Sequence, residues 1–479
     1  MTIRTTLFFS ALATLLTAVI LAGPTFYWLD SGEFVAAAWT LGVAHPPGHP
    51  LMSLIARLAC YLPVGTIAFR VTLACAAEAA AATALVGLLA TRLVDALAGQ
   101  APEATLTERR GPLVHLAVAC AALTAGWSYA LLFQAVRAEV YALNVLLVLG
   151  ATYALLRFGQ LGDRRYLLAS AFIAALGLCN HHLLMLLAIP PAFLFLLLHG
   201  RPRPGWRRLI IGVLIAGTLG LSTFAYLPLR AARAPRVNWG APTTVARAAW
   251  VVSARVFHQS LDRAGRETLG HRIGGAAFAV LGGLGPLGAL LALGGLYLAW
   301  RRRETWRLAA LLTFIGLFNL ISPLLVGFDV FNPDAHGYLA VAVAAFAPGI
   351  AVLVFSVGQA LVHHARRLAP LVILAVIVPG LQLRHLSRVD QRDLWAAEET
   401  ARATLAQPPG TVALTSYFAT LFGAWALQST GDLRPDVAVI HRNFLGQPAY
   451  ADTLATRHPA LAAALHHWGI THHVDVNEL

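Results

Sequence analysis

Residues 338–358 read YLAVAVAAFAPGIAVLVFSVG, a run of 21 residues without a charged side chain. About 20 apolar residues are enough to cross the hydrocarbon core of a bilayer as a helix. Similar runs recur along the chain, which has 58% hydrophobic and only 12% charged residues. Its mean hydropathy is +0.68. Because soluble domains carry about 25% charged residues, the composition predicts an all-α polytopic membrane protein.

Eleven apolar runs predict membrane spans. Their approximate limits are 5–23, 70–94, 112–132, 139–158, 166–182, 183–199, 209–228, 273–299, 308–327, 338–358 and 370–384. The loops between them alternate between rich in arginine and nearly free of it, and the positive-inside rule assigns the arginine-rich loops to the cytoplasm. This predicts a cytoplasmic N-terminus and a C-terminal segment on the outer side. The alternative for residues 1–23 is a signal peptide, with Arg4 in its charged start.

The chain divides into two predicted parts. These are a membrane domain at 1–384, with long outer loops at 24–69 and 229–272, and a small extracytoplasmic α/β domain at 385–479. In the first loop, 33–42 and 51–62 have the pattern of two short amphipathic helices joined by a Pro/Gly turn. In the last part, apolar stretches at 411–414 and 437–440 predict two strands on either side of a helical run.

The formal charge of +13 comes from arginine, since all 35 basic residues are arginines. Many of them lie in the short loops predicted to be cytoplasmic, so the charge does not indicate a nucleic-acid partner. A GC-rich genome accounts for the absence of lysine. The four cysteines are scattered, and their spacing predicts neither a disulfide framework nor a cysteine zinc site.

Asp30-Ser31-Gly32-Glu33 follows the first apolar run, where the chain leaves the membrane. Two acids three residues apart before an apolar stretch are typical of a helix capping box with Asp30 at the N-cap. The same carboxylate would also lie in the headgroup region, where a lipid-borne substrate meets water, and could act as a general base. The pattern alone leaves both interpretations open.

His45 and His49 follow in the segment His45-Pro46-Pro47-Gly48-His49. Histidines at positions i and i+4 bind a metal when they lie on one helix. The intervening prolines and glycine instead predict a rigid turn that positions one imidazole. No metal site is therefore predicted.

Further polar residues lie at the outer ends of other spans. Arg137 and Glu139 precede the fourth span, and they form either an interfacial anchor or a site for an anionic headgroup. Asn180, His181 and His182 separate the fifth span from the sixth. Histidines at membrane depth usually face a bundle interior or a cavity, which favours a functional role for this cluster.

Two more polar groups lie on the same side. Arg230 and Arg233 follow the seventh span and are suited to bind a lipid phosphate, although a basic loop facing anionic lipid is the alternative. Asp334 and His336 lie between the ninth and tenth spans. Five separate polar groups thus converge on one face of the membrane, and this convergence indicates a reaction site there.

Six longer motifs occur between about residues 28 and 340. They are Asp30-Ser-Gly-Glu33-Phe, Leu41-Gly-Val-Ala-His45-Pro-Pro-Gly-His-Pro-Leu51, Glu139-Val-Tyr-Ala-Leu-Asn144, Gly177-Leu-Cys-Asn-His-His182, Tyr226-Leu-Pro-Leu-Arg230 with Asn238-Trp239-Gly240, and Asn332-Pro-Asp-Ala-His-Gly-Tyr338. In combination they resemble a bacterial family of multi-pass proteins related to the transmembrane-protein-260 O-mannosyltransferases.

The resemblance implies a GT-C glycosyltransferase in the bacterial inner membrane, with its C-terminal domain in the periplasm. Such enzymes use a polyprenyl-phosphate-linked sugar and an acidic residue in the first outer loop, matched here by Asp30 with Glu33 beside it. Both are therefore predicted to be catalytic residues. Mannose is implied by the relatives alone. The acceptor class (protein, glycan or lipid) stays open.

The resulting hypothesis is an inverting transfer on the outer side, in which Asp30 is the general base and Arg230, with Arg233 or Arg137, neutralises the departing polyprenyl phosphate. The predicted substrate-binding residues are His45, His49, Arg137, Glu139, Asn180, His181, His182, Arg230, Arg233, Asn238, Trp239 and His336. A phosphate leaving group requires no metal in principle, so neither a metal nor another cofactor is predicted. The alternatives are a transporter or flippase, whose class favours mid-membrane charges and pseudo-symmetric halves, and a non-catalytic scaffold.

Overall fold

The computed structural model describes residues 2–199, 206–257, 269–326, 329, 331–365 and 369–471. Part of the predicted second outer loop, 258–268, lies outside these residues. The described helices are α1 (Ile3–Leu21), α2 (Ser31–Thr40), α3 (Pro50–Ala59), α4 (Ile67–Leu97), α5 (Pro112–Gly126), α6 (Tyr129–Ala135), α7 (Tyr141–Leu161), α8 (Arg164–Leu186), α9 (Ile189–His199), α10 (Trp206–Leu221), α11 (Tyr226–Ala231), α12 (Val245–Val252), α13 (Leu269–Leu284), α14 (Pro286–Trp300), α15 (Trp306–Asn319), α16 (Ser322–Val326), α17 (Pro333–Phe346), α18 (Pro348–Ala365), α19 (Ala369–Gly380), α20 (Leu386–Val389), α21 (Ala396–Leu405), α22 (Phe418–Thr430), α23 (Tyr450–Arg457) and α24 (Ala462–Thr471).

Seven described helical segments are long and apolar enough to cross a membrane, and two bent helix pairs could each add one span. The pair α5 and α6 is bent by 63°, and the pair α13 and α14 by 97°. Two of the other predicted spans correspond to the shorter apolar helices α9 and α15. The chain is a helical multi-pass membrane protein, as its composition predicts, while the number of eleven spans stays a prediction.

The predicted loop at Asn180–His182 is instead a kink inside α8. His181 has φ −143° and ψ 91°, which interrupts the helix at this residue. The chain turns only after Leu186, before α9 begins at Ile189. Because both Asn180 and His181 are buried, the kink keeps these polar groups inside the bundle instead of exposing them in a surface turn.

The two short helices predicted in the first outer loop are present as α2 and α3. Helix α2 packs on α22 of the C-terminal part, while α3 packs on α4 and α8. A Cβ atom at Gly32 would lie 2.7 Å from the carbonyl oxygen of Phe422, so glycine is needed for this close approach. The start of α2 is thereby held between the membrane bundle and the C-terminal part.

The C-terminal part contains a small parallel sheet. Strand β1 (Val412–Thr415) pairs with β2 (Ala438–His441), and Val412 lies opposite Ala438. Helix α22 forms the crossover between the strands, which a parallel pair requires. The two predicted strands are thus present with a shift of one residue, while the domain boundary at 384–385 stays a prediction.

Helices α14 and α18 make a close crossing where Gly295 faces Gly349. A Cβ atom at Gly295 would overlap the carbonyl oxygen of Gly349. We expect Gly295→Ala to lower the free energy of unfolding by about 1–3 kcal/mol, because the two backbones must separate. Gly282→Ala is the control, since nothing lies within 4 Å of a Cβ atom added there. Equal stability of the two variants on unfolding in detergent would contradict this packing.

Candidate active site

Asp30 lies at the start of α2 with its side chain half-buried. It takes the N-cap position, but its carboxylate makes no capping hydrogen bond. Glu33 does not complete a capping box either, because both of its oxygens bind His45. The neighbouring Ser31 hydroxyl donates to the carbonyl of Ala138 at 2.9 Å and fixes the start of the helix. The capping-box interpretation is therefore wrong, because neither carboxylate makes a capping hydrogen bond.

The buried Glu33 carboxylate holds the Pro/Gly turn against α2. One oxygen accepts from the backbone N–H of His45 at 2.7 Å, and the other from its ring Nδ1–H at 2.6 Å. Burial opposes a charge on the imidazole, but Glu33, together with Asp30, outweighs it and raises the pKa of His45 to about 9. Glu33 and His45 are thus an ion pair at neutral pH, and this geometry makes Glu33 a positioning group for His45.

His49 continues this line of hydrogen bonds. Its Nδ1–H donates to the Asn180 carbonyl at 2.5 Å, and its Nε2 lies 3.3 Å from Nε2 of His45. Burial lowers the pKa of His49 well below its ordinary value. Its Nε2 therefore accepts a hydrogen bond from the His45 imidazolium. The two histidines lie on a turn and at a helix start, with His49 at φ 41°, so they do not form the helical metal-binding pair.

Arg137 is fully buried where α6 gives way to α7. Its guanidinium pairs with Asp334 at the start of α17, and it lies 3.4 Å from a carboxylate oxygen of Glu139. The rings of Tyr27 and Phe133 face it at 5.5 and 5.2 Å. Burial opposes its charge, yet the two carboxylates hold the pKa of Arg137 above its ordinary value. Arg137 is therefore part of an internal ion-pair network rather than an interfacial anchor.

The Asp30 carboxylate lies between these two networks. It has an oxygen within 4.8 Å of donor atoms of Glu33 and His45, and likewise of Glu139 and Asp334. Burial disfavours its charge and is the largest influence on it, while the nearby cations oppose that effect and the other carboxylates add to it. The result is a pKa of about 7 for Asp30. A carboxylate tuned to neutral pH is suited to accept and release a proton.

Both networks contain the kinds of donor that bind divalent cations. One set is Asp30 with Glu33 and His45, and the other is Asp30 with Glu139 and Asp334. Carboxylate and imidazole donors suit several divalent metals. Part of the carboxylate charge is already balanced, by His45 in the first set and by Arg137 beside the second. The expectation that no metal is required stays a prediction.

The kink of α8 brings the predicted Asn180 cluster to the same place. The Asn180 amide donates to the backbone just before α7 at 3.0 Å. The His181 ring lies 6.0 Å from that of His49 and 5.4 Å from that of Tyr338. His182 stacks on His181 at 6.5 Å. The three predicted residues therefore lie behind the His45–His49 pair, on the bundle side.

The predicted arginines of the second outer loop lie farther from Asp30. Arg230 donates to the carbonyls of Thr40 and Leu41 at 3.0 and 2.8 Å. These carbonyls are at the C-terminal end of α2, a helix length of about 15 Å from Asp30. Arg233 is exposed. Arg230 therefore fixes the loop on α2, and the structure does not bring this pair directly beside the carboxylate.

Asn238 and Trp239 do reach the site. Asn238 pairs with Val43 in a parallel bridge. This backbone pairing places the Trp239 ring 6.5 Å from the ring of His45. The second outer loop thus contributes to the site through Trp239 rather than through its first arginines.

Several aromatic side chains around the site were missed by the sequence analysis. Tyr129 contacts His336 at 4.8 Å and Phe133 at 5.3 Å, which connects His336 to the Arg137 network. Tyr141 and Tyr338 lie 5.4 Å apart beside His181. Aromatic residues are common at the ends of all membrane spans, so their presence in the sequence could not mark these as part of a site.

Residues 30–204 match the model of the family described as "Protein O-mannosyl-transferase TMEM260 N-terminal domain". This part of the chain is similar to the TMEM260 proteins. The chain is 37% identical to protein O-mannosyl-transferase TMEM260 of Mus musculus over 226 residues, which are 45% of this chain and 29% of that protein. It is 27% identical to the Dictyostelium discoideum protein of the same name over 237 residues, which are 45% of this chain and 26% of that protein. The chain thus spans less than a third of the length of these relatives.

The fold resembles that of ArnT from Cupriavidus metallidurans. The apo structure of ArnT superposes with a TM-score of 0.56 at 13% identity, covering 91% of this chain and 89% of ArnT. The structure of ArnT bound to undecaprenyl phosphate gives 0.54 at 13% identity, covering 95% and 87%. The predicted GT-C-like fold is confirmed by these structures.

Removal of one partner from the buried Arg137 network leaves part of its charge uncompensated. We expect Asp334→Asn to lower the free energy of unfolding by about 3 kcal/mol, as for other broken buried pairs. The control is Asp436→Asn in the exposed Arg434–Asp436 pair, which should unfold almost like the wild type. Thermal unfolding in detergent measures both. An equal loss in the two variants would contradict a structural role for the Arg137 network.

Proposed function

We propose that this protein transfers a sugar from a polyprenyl-phosphate carrier to an acceptor hydroxyl on the outer side of the membrane. The relatives are named as protein O-mannosyl-transferases, and ArnT has been solved with undecaprenyl phosphate. The observation that carries the proposal is the Asp30 carboxylate, which makes no capping bond and lies between two charge networks. Mannose is the sugar that the relatives suggest, and the arginine pattern of the loops supports a cytoplasmic N-terminus.

In the proposed step, Asp30 accepts the proton of the acceptor hydroxyl while its oxygen attacks the anomeric carbon. The bond from that carbon to the phosphate oxygen breaks, and the carrier leaves as polyprenyl phosphate. A single displacement of this kind inverts the anomeric configuration. General-base assistance contributes roughly 10²–10⁴-fold to such reactions.

The departing phosphate needs a positive partner. The donors of Arg137 face Asp334 and Glu139, so Arg137 is better suited to balance the site than to bind the carrier. The His45 imidazolium adjoins Asp30, and the exposed Arg233 lies on the loop that contributes Trp239. Both ring N–H groups of His45 are bonded to Glu33 and His49, so His45 contributes charge but no hydrogen bond to the phosphate. We assign the direct contact with the phosphate to Arg233, with Arg230 as the anchor of the loop.

The first test replaces the proposed base. We expect Asp30→Asn to reduce transfer at least 100-fold without a loss of stability, because the amide cannot accept the proton. The protein is incubated in nanodiscs with a labelled mannosyl-phosphoryl polyprenol and an envelope extract, and released polyprenyl phosphate is measured. Asp393→Asn, at an exposed position, is the matched control. Near-normal turnover by Asp30→Asn would falsify the assignment, and translocation of the donor without release would favour a flippase.

The second test uses pH. Because the pKa of Asp30 is raised to about 7, the base is protonated at lower pH, and the transfer rate should fall about tenfold per unit below pH 7. The His45 charge lowers the pKa of Asp30. In His45→Gln we therefore expect this fall to begin at a higher pH than in the wild type. If the transfer rate of His45→Gln begins to fall at the same pH as that of the wild type, His45 is not the cation that lowers the pKa of Asp30.

A further inference from the structure

A groove runs along the side of the membrane bundle between α1 and α5. Its volume is about 600 Å³, and ligand sites usually have roughly 300–1,000 Å³. Six of the residues that line it are Thr6, Phe9 and Ser10 on α1 with His115, Ala119 and Leu123 on α5. Thr6 lies about 22 Å along α1 from Leu21, the end that leads to Asp30. The groove is therefore separate from the candidate active site.

The groove is about as long as one leaflet of a bilayer is thick. Along α5 it extends from Pro112 to Leu123, a distance of about 16 Å. The hydrocarbon core of a bilayer is about 30 Å thick, so this distance is close to half of it. Phe9 in the groove is 58% exposed, and α1 is long and apolar enough to span a membrane. The groove thus opens toward lipid, and its length suits a single acyl chain.

The polar side chains of the groove are concentrated toward one end. Thr6 and His115 lie within one turn of the start of α1 and α5, respectively, and their side chains share a hydrogen bond of 2.7 Å. Leu116, Ala119 and Leu123 follow toward the middle of the bundle. A phospholipid has the same order, because its polar headgroup and ester groups precede an apolar chain.

The polar end of the groove also carries positive charge. Arg110 lines the groove there, but it binds both oxygens of Asp95 at 2.7 and 2.8 Å, so its charge is balanced. Arg109 is exposed, and no acidic side chain pairs with it among the described residues. Its backbone pairs with that of Thr2, one turn before Thr6 on α1. Arg109 thus offers an unbalanced cation where the headgroup of a lipid in the groove would lie.

We propose that the α1–α5 groove binds an anionic phospholipid, with one acyl chain along the two helices and the headgroup against Arg109. Arginine suits this role because it binds phosphate groups in a bidentate manner. A zwitterionic phospholipid has the same chains, but the cation of its headgroup offsets the attraction to Arg109. The site does not depend on the proposed transfer reaction, since it lies at the other end of α1. Because the lipid contacts both helices, its binding should stabilise the folded protein.

Titration with defined lipids tests the proposal. The intact chain is purified in detergent, and native mass spectrometry measures the dissociation constants of phosphatidylglycerol, phosphatidylcholine and undecaprenyl phosphate. We expect phosphatidylglycerol to bind about fivefold more tightly than phosphatidylcholine, which is the effect of one basic residue near an anionic headgroup. Phosphatidylglycerol should also raise the midpoint of thermal unfolding more than phosphatidylcholine does.

Two variants locate the binding. Arg109→Gln should weaken phosphatidylglycerol about fivefold and leave phosphatidylcholine unchanged. Ala119→Phe should weaken phosphatidylglycerol at least as much, because the ring takes the space of the acyl chain. Arg165→Gln and Ala169→Phe, at exposed positions near the start of α8, are the matched controls and should bind like the wild type. Thermal unfolding identifies any variant that fails to fold, and Arg109→Gln decides the result if Ala119→Phe does fail.

Several results would overturn the groove proposal. They are equal affinity for phosphatidylglycerol and phosphatidylcholine, unchanged affinity for phosphatidylglycerol in folded Arg109→Gln, and an equal loss in the control variants. Weaker binding of undecaprenyl phosphate in Ala119→Phe, with phosphatidylglycerol unaffected, would assign the groove to the carrier lipid instead.

The groove and the proposed function can fail independently. Asp30→Asn should bind phosphatidylglycerol like the wild type, because Asp30 is not part of the groove. A wild-type protein that binds this lipid as expected but has no transferase activity would refute the proposed function alone. An active protein without a preference for the anionic lipid would refute the groove proposal alone.

Discussion

Two cations, the half-buried His45 and the buried Arg137, make it possible for four acidic side chains to lie close together. Asp30 is surrounded by Glu33, Glu139 and Asp334, and carboxylates in such proximity disfavour one another's ionisation. The His45 imidazolium on one side and Arg137 on the other offset that repulsion. Arg137 depends more strongly on its partners than His45 does, because a fully buried guanidinium is stable only while its acidic partners remain in place.

The Glu33–His45 pair also holds the Pro/Gly turn against α2. Glu33 binds both the backbone and the ring of His45, so the turn cannot leave α2 without exposing an unpaired carboxylate. On its other side, α2 approaches α22 so closely that Gly32 has no room for a side chain. The C-terminal part is therefore a wall of the site as well as an appendage of the membrane domain. Its contact with α2 fixes the position of Asp30 at the start of that helix.

The sequence predicts the membrane class, most of the helical spans and both strands because each depends on local patterns of apolar residues. It also places the polar groups at one face, since each follows or precedes a span. It cannot give the pairing of Arg137 with Asp334, which are 197 positions apart and meet only after α6 and α17 pack. The contacts of Arg230 are not predictable from the sequence for a similar reason. Its place after a span indicates the correct face of the membrane, but the direction of its side chain is set by the carbonyls at the end of α2.

The interruption of α8 at His181 has a consequence for proton placement. A regular helix uses its carbonyl groups internally, whereas here the carbonyl of Asn180 accepts the Nδ1–H of His49. That bond selects the tautomer of His49 with its proton on Nδ1. The unprotonated Nε2 then faces His45. The backbone geometry of α8 thereby determines which nitrogen of His49 carries the proton. In a straight α8 the Asn180 carbonyl would bond within the helix, and His49 would lose this partner. The orientation of the His45 imidazolium beside Asp30 would then no longer be fixed by His49.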